Sequence, residues 1–131
     1  MKGLGADDRY WQALAEGQVE LPRCAECRRW HWPAPFRCGN CGSWEMDWTA
    51  VELDGRIFTW TRTWHPFGGT ESLGLPFSPV LVELPEAGGI RLLGLFESAD
   101  TPKIGDRVTG RIAATSAFNR SIPSLRWASR A

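Results

Sequence analysis

The hydrophobic positions of this chain follow a helical spacing at the start and an alternating spacing later on. Over residues 7–16 the apolar side chains Tyr10, Trp11 and Leu14 recur at helical spacing, and Gly17 follows as a stop signal. We predict one short helix here, capped by Asp7 or Asp8. Because so short a helix is marginal without something to dock on, its aromatic face packs either on its own domain or in a groove of another protein.

Residues 18–48 predict a small irregular module rather than a long helix or strand. Val19 and Leu21 indicate a short leading strand, and Trp30 is expected to begin a return strand. Pro33 and Pro35 then shape a link to the second half of the module.

From residue 49 onward the spacing is that of β-strands. Thr49–Leu53 and Arg56–Trp64 are predicted to form one long strand, bent at Asp54-Gly55. Within it, Phe58, Trp60 and Trp64 share one face. The remaining strands are expected at Pro79–Leu84, Ile90–Phe96, Arg107–Ala113 and Ile122–Trp127.

Five strands of which the first is long and bent favour a small Greek-key barrel, the OB-fold, with an SH3-like barrel as its main competitor. The fold is therefore expected to be mainly β, with an N-terminal helix (1–17), a small irregular module (18–48) and a five-stranded OB-fold barrel (49–131). Two segments are expected to be the loops that frame the binding face of such a barrel, namely His65–Phe77 and Ala114–Ser121.

Four cysteines stand in the pattern C-x2-C-x10-C-x2-C, as Cys24, Cys27, Cys38 and Cys41. Two such turns aim four thiolates at one point, which predicts a closed tetrahedral metal site and makes the module 18–48 a rubredoxin-like zinc ribbon. Four protein ligands leave no open position for substrate, so the zinc is expected to be structural; a site of this kind also accepts iron. A redox motif would not occur twice at this distance. Disulfides would need an oxidising compartment, and the first eight residues contain no apolar run typical of a secretory signal.

The charge balance, apolar content and tryptophan content of the chain argue against several classes of function. Fifteen basic and fifteen acidic residues cancel, which argues against a general polyanion binder. No apolar stretch is long enough to span a membrane, so the chain is expected to be soluble and cytoplasmic. Eight tryptophans are more than a chain of 131 residues buries easily, so some of the rings are expected to face a partner.

The order of these features resembles one family, the acyl-CoA-associated zinc-ribbon/OB-fold proteins, long catalogued as a domain of unknown function. The matching segments are residues 10–17, Leu21-Pro22-Arg23-Cys24, Pro33-x-Pro35, Cys38-x-x-Cys41-Gly42-Ser43, Gly55-x-Ile57-x-Thr59-Trp60-Thr61, Pro79–Leu84, Lys103–Val108 and Leu125-Arg126-Trp127. The loop from Gly68 to Leu75 is longer than the usual pattern.

The resemblance implies a non-catalytic subunit that binds a thiolase-fold enzyme, whether a thiolase, a synthase or a thiolase-like aldolase that shortens steroid side chains. It implies a hetero-oligomer in which the chain supports the partner, completes its CoA channel and shares acyl-CoA with it.

The residues themselves offer no catalytic constellation, because the metal claims every cysteine and only His31 and His65 titrate near neutrality. His31 is expected at the surface rather than as a ligand. The candidate contacts with a ligand or partner are Tyr10, Trp11, Trp60, Trp64, His65, Phe67, Phe118, Arg120 and Arg126. Arg120 and Arg126 are included because the planar guanidinium group of arginine forms paired hydrogen bonds with phosphates such as those of CoA. The rival hypothesis is a module for single-stranded nucleic acid, with Phe58, Trp60 and Trp64 as a stacking platform.

Overall fold

The computed structural model of this chain describes residues 5–130, so the first four residues of the predicted N-terminal segment lie outside the described residues. The chain divides into two compact units. The first, which we call the ribbon unit, contains the described residues up to Glu52 together with Pro85–Ile90. The second, the barrel unit, contains Leu53–Leu84 and the described residues from Arg91 onward.

The ribbon unit begins with the predicted helix, α1 (Asp8–Ala15). Its start is held by a hydrogen bond from Trp11 Nε1 to Asp7 Oδ2 (3.2 Å). Gly17 follows the helix with a φ of 88°, a conformation that glycine adopts without steric cost. The buried face consists of Tyr10, Ala13 and Leu14, so this face packs on its own unit rather than offering Tyr10 to a groove elsewhere.

Two strands, β1 (Glu20–Cys24) and β2 (Met46–Ala50), form an antiparallel ladder in which Leu21 lies opposite Thr49. The predicted return strand at Trp30 is wrong, because Trp30 makes only an isolated bridge to Arg23. Pro33 and Pro35 follow closely and cannot donate to a ladder.

The barrel unit consists of five strands, β3 (Asp54–Trp60), β4 (Pro79–Leu84), β5 (Ile90–Phe96), β6 (Arg107–Ala117) and β7 (Arg120–Ser129). Their order is β3-β4-β5-β7-β6, and β6 pairs back with β3 to close the barrel. β5 and β7 pair in parallel, whereas β6 and β7 form a long antiparallel hairpin. The predicted five-stranded barrel is confirmed.

Two details of the strand prediction are wrong. β3 begins at Asp54, and Thr49 belongs to β2 in the ribbon, so there is no single long strand across the Asp54-Gly55 pair. The segment 114–121 is not an open loop, because β6 and β7 continue through it to a two-residue turn at Phe118 and Asn119. These residues have φ values of 52° and 60°, as a type I′ hairpin turn requires.

The core of the barrel is built around Trp127, which is fully buried. Two glycines make room for its ring. A Cβ atom on Gly94 would lie 2.6 Å from Trp127 Cδ1, and one on Gly110 would lie 2.8 Å from Trp127 Cζ3. The other buried apolar side chains of this unit are Ile57, Val80, Val82, Leu84, Leu92, Val108 and Leu125.

Within β3, Ile57 is buried in this core and Phe58 is 40% exposed. The predicted alternation does not continue, because Thr59 is also exposed and β3 ends at Trp60, before Trp64. A register shift interrupts the pairing of β3 with β4 between Ile57 and Thr59. None of the helices in the described part of the chain has the length and apolarity needed to cross a membrane.

Candidate metal centre and binding surfaces

The four cysteine sulfurs of the ribbon unit converge on one point, and all lie within 4.8 Å of one another. The Cys24 and Cys41 Sγ atoms are 3.5 Å apart, and those of Cys27 and Cys38 are 3.6 Å apart. Four sulfurs each about 2.3 Å from a zinc ion stand about 3.8 Å from one another, so the donor set fits a tetrahedral zinc. The predicted structural zinc site is confirmed.

Backbone N–H groups approach two of the sulfurs, as the tight turns of the motif require. Cys27 N donates to Cys24 Sγ (3.5 Å), and Asn40 N and Cys41 N donate to Cys38 Sγ (3.4 and 3.5 Å). A hydrogen bond from the Asn40 side chain, supported by the Arg29 backbone, lowers the pKa of Cys27 to about 6. By contrast, the pKa of Cys41 is raised to about 11, because the lowering hydrogen bond from the Ser43 backbone is outweighed by the Cys24 side chain and by desolvation. The thiolate is the form that binds metal, so the donors around Cys27 favour the binding form of that ligand.

His31 lies closer to the metal centre than the sequence suggests. Its Nε2 atom is 3.3 Å from Cys38 Sγ, within reach of a hydrogen bond to the sulfur. Such an outer contact orients a metal ligand without replacing it. The position of His31 four residues after Cys27 indicated that it lies near the metal centre. Its contact with Cys38 was not predictable, because it depends on the second cysteine turn folding over the first.

Most of the ribbon arginines have partners within their own unit. Arg28 pairs with Asp47 (2.7 Å), and Arg37 Nε donates to Gly42 O (2.8 Å) while its guanidinium lies 5.4 Å from the ring centre of Trp44. Arg23 donates to Arg28 O (2.7 Å). These contacts explain the cluster of arginines structurally.

In the barrel unit, the long loop between β3 and β4 contacts the β6–β7 hairpin. Ser72 Oγ donates to Ser116 O (2.7 Å), and the Phe118 ring covers Gly69 so closely that a Cβ there would lie 2.6 Å from Phe118 Cε2. His65 and Phe67 stack edge to face with ring centres 4.5 Å apart. The structure thus brings together the two segments that were predicted to frame the binding face.

Three aromatic rings at this end of the barrel are largely exposed, Trp64 at 69%, Phe67 at 56% and Phe118 at 74%. We call them, together with His65, the aromatic end cluster. Such a density of exposed aromatic surface is unusual for a face that stays in water.

The other predicted contact residues are dispersed. Tyr10 is only 6% exposed, and its ring packs 4.5 Å from that of Trp32 in the ribbon unit. Trp11 is half-buried beside it. Trp60 is half-buried at the end of β3, below the Arg62 guanidinium (5.7 Å). Arg120 is exposed next to the hairpin turn, and Arg126 lines a cavity of the barrel unit together with Arg62. Sequence reasoning missed Arg62.

Comparison with known proteins agrees with this geometry. Residues 11–47 match the sequence model of the ChsH2 rubredoxin-like zinc ribbon domain, so this segment is similar to that domain. A curated relative, a probable enoyl-CoA hydratase alpha subunit from Thermomonospora curvata, is 28% identical over 91 residues. That match covers 69% of this chain but spans only 27% of the relative.

Two solved structures have the fold of the whole chain. One is described as the Ltp2-ChsH2(DUF35) aldolase, with a TM-score of 0.81 and 22% identity, covering 95% of this chain and 94% of that one. The other is a DUF35 protein of unknown function from Sulfolobus solfataricus, with a TM-score of 0.62 and 18% identity, covering 97% and 87%. The resemblance to the zinc-ribbon/OB-fold family is therefore confirmed, in sequence for the ribbon and in fold for the whole chain.

Proposed function

We propose that this chain is an accessory subunit that binds and supports a thiolase-fold enzyme acting on acyl-CoA. The likeness to the ChsH2 chain of an aldolase supports a subunit role, because that chain is named as part of a larger enzyme. The relative named as a hydratase subunit supports chemistry on CoA thioesters.

The observation that carries the proposal is the aromatic end cluster, and Phe118 in particular. Phe118 is 74% exposed and has a φ of 52°, a left-handed conformation that a bulky side chain rarely adopts. Strain of this kind is retained where the surrounding structure or a function requires it. The Phe118 ring contacts Gly69 but leaves most of its surface in water, and as an interface anchor this surface would supply a large rigid contact.

The metal centre also supports an accessory role for this chain. Its four ligands are all supplied by the chain, and a closed site of this kind holds structure. The ribbon then acts as a rigid platform. The proposed task is to stabilise the partner and to complete its CoA channel, with the barrel loops at the contact.

The test is co-expression with the thiolase-fold enzyme encoded nearest to this chain, followed by co-purification and an acyl-CoA assay with and without the chain. Trp64→Asp and Phe67→Asp should each abolish co-elution, because a charge placed in the centre of an aromatic interface must be desolvated there. Ile104→Asp is the matched control, since Ile104 is 70% exposed but lies in the loop that precedes β6, outside the cluster.

Co-elution that survives both cluster variants would refute the proposed surface. Failure of every thiolase-fold candidate to bind the unmodified chain would refute the accessory role itself. If a single-stranded oligonucleotide then bound with an affinity that falls steeply as salt rises, the nucleic-acid alternative would replace it.

A further inference from the structure

The barrel unit contains a cavity of about 330 Å³ between the long loop, β5 and β7. Its walls include two arginines, Arg62 and Arg126, and none of the ten described residues that line it is an aspartate or glutamate. A concave site with two positive charges and no carboxylate in its lining is an attractive place for an anion.

Arg126 is held in place by a chain of hydroxyl groups. One of its terminal nitrogens donates to Thr115 Oγ1 (2.6 Å), which lies 2.6 Å from Ser124 Oγ. Ser124 in turn donates to Ala113 O (3.2 Å). The guanidinium is therefore oriented by neutral groups, which fix its position without cancelling its charge.

The Nε atom of Arg126 is buried and has no hydrogen-bond acceptor among the described residues. A buried donor on a charged group that lacks an acceptor is costly. An oxyanion in the cavity would offset part of that cost by pairing with the positive charge of the guanidinium, although the Nε atom itself has no surface open to the cavity.

Arg62 contributes the second charge, and its contacts are also with neutral acceptors. Its Nε donates to Ser78 Oγ (3.2 Å), and a terminal nitrogen donates to the backbone oxygen of Asp100 (3.3 Å). By contrast, Arg111 on the same barrel forms an ion pair with Glu97.

The remaining wall is largely apolar, formed by side chains such as Leu73, Phe77 and Leu95. We infer that this cavity binds an organic oxyanion, a carboxylate or phosphate carried on a short apolar group, with Arg62 and Arg126 as the residues that recognise the charge. The site lies within the barrel unit alone, so it goes beyond the proposed function and needs no partner for its test.

The experiment is calorimetric titration of the full chain with hexanoate and with hexyl phosphate, which distinguish the two anion types, and with hexanol as the uncharged probe. We expect one or both anions to bind and hexanol to bind at least tenfold more weakly. Arg62→Gln and Arg126→Gln should each weaken anion binding at least tenfold. Arg91→Gln is the matched control, because Arg91 stacks on Phe58 (3.6 Å) and does not line the cavity.

Equal binding by the Arg62→Gln variant and the Arg91→Gln control would overturn the inference, as would the absence of anion binding to the unmodified chain at millimolar concentration. Because Arg62 is half-buried and bonds to one hydroxyl and one backbone oxygen, its variant tests the site even if Arg126→Gln fails to fold. Anion binding retained by a chain that binds no thiolase-fold enzyme would support the cavity and count only against the proposed function.

Discussion

The two units of this chain maintain their structures by different means. The barrel unit closes five strands around Trp127 and a set of buried aliphatic side chains. The ribbon unit has one helix, one two-stranded ladder and a smaller apolar core, and its second half, from Arg28 to Glu45, contains no strand. In the ribbon unit, a metal centre supplies the stability that a closed sheet and a hydrophobic core supply in the barrel unit.

The units also differ in how they use arginine. In the ribbon, Arg9 makes a bidentate pair with the buried Glu20 and Arg28 pairs with Asp47. In the barrel, Arg62 and Arg126 bond only to hydroxyl and carbonyl oxygens. The ribbon arginines are neutralised by carboxylates of their own unit, whereas the charges of Arg62 and Arg126 are left for the anion that we propose for the cavity.

The largest expected effect comes from breaking the metal centre. Cys38→Ser removes the ligand that receives the most backbone donors, and because metal binding at such a site is coupled to folding, the ribbon unit should lose its structure. We expect bound zinc to be lost and the amide signals of residues 20–50 to collapse in NMR spectra, while those of the barrel core remain.

Chelation of zinc from the unmodified chain is the matching control and should produce the same spectrum. Full zinc content with an unchanged melting curve in Cys38→Ser would contradict the assignment of the ribbon to metal-dependent folding. Collapse of both units together would contradict the contrast between them.

The next largest effect on stability is expected from a substitution in the barrel unit. Trp127→Ala should lower the free energy of unfolding of the barrel by about 3–5 kcal/mol, because a large buried ring is removed and the flanking glycines cannot fill the cavity. Zinc content should be unchanged. Trp44→Ala serves as the control, since Trp44 is 67% exposed. Its removal should change the free energy of unfolding by less than about 0.5 kcal/mol. A similar loss of stability in both variants would argue against Trp127 as the centre of the core.

The parts of this molecule that follow local rules were predictable from the sequence. The cysteine spacing identified the metal ligands, because two short turns determine where their sulfurs point. The alternation around Ile57 and Phe58 predicted a strand there, and β3 contains both residues. The helix followed from the spacing of Tyr10 and Leu14 with Gly17 after them.

The parts that depend on distant pairing were not predictable. Thr49 fits the alternation of the following strand, but β1 recruits it into the ribbon ladder. The hairpin turn was predicted as a loop because Phe118-Asn119 lacks the glycine that usually signals a type I′ turn. Arg62 and Arg126 line the same cavity although they are 64 positions apart in the sequence, and no local pattern encodes that arrangement.

The smallest expected effect on stability is the most informative about function. Phe118→Asn places at the turn a residue that tolerates positive φ, while removing a ring that is mostly in solvent. The relief of strain offsets the lost contact with Gly69, so the free energy of unfolding should change by less than about 0.5 kcal/mol, measured by urea denaturation. Binding to the proposed thiolase-fold partner should nevertheless weaken, whereas Ile104→Asn, which removes a similarly exposed apolar side chain outside the aromatic end cluster, should leave it intact. A loss of stability above about 2 kcal/mol would show instead that the ring belongs to the fold, and equal partner binding by both variants would remove Phe118 from the interface.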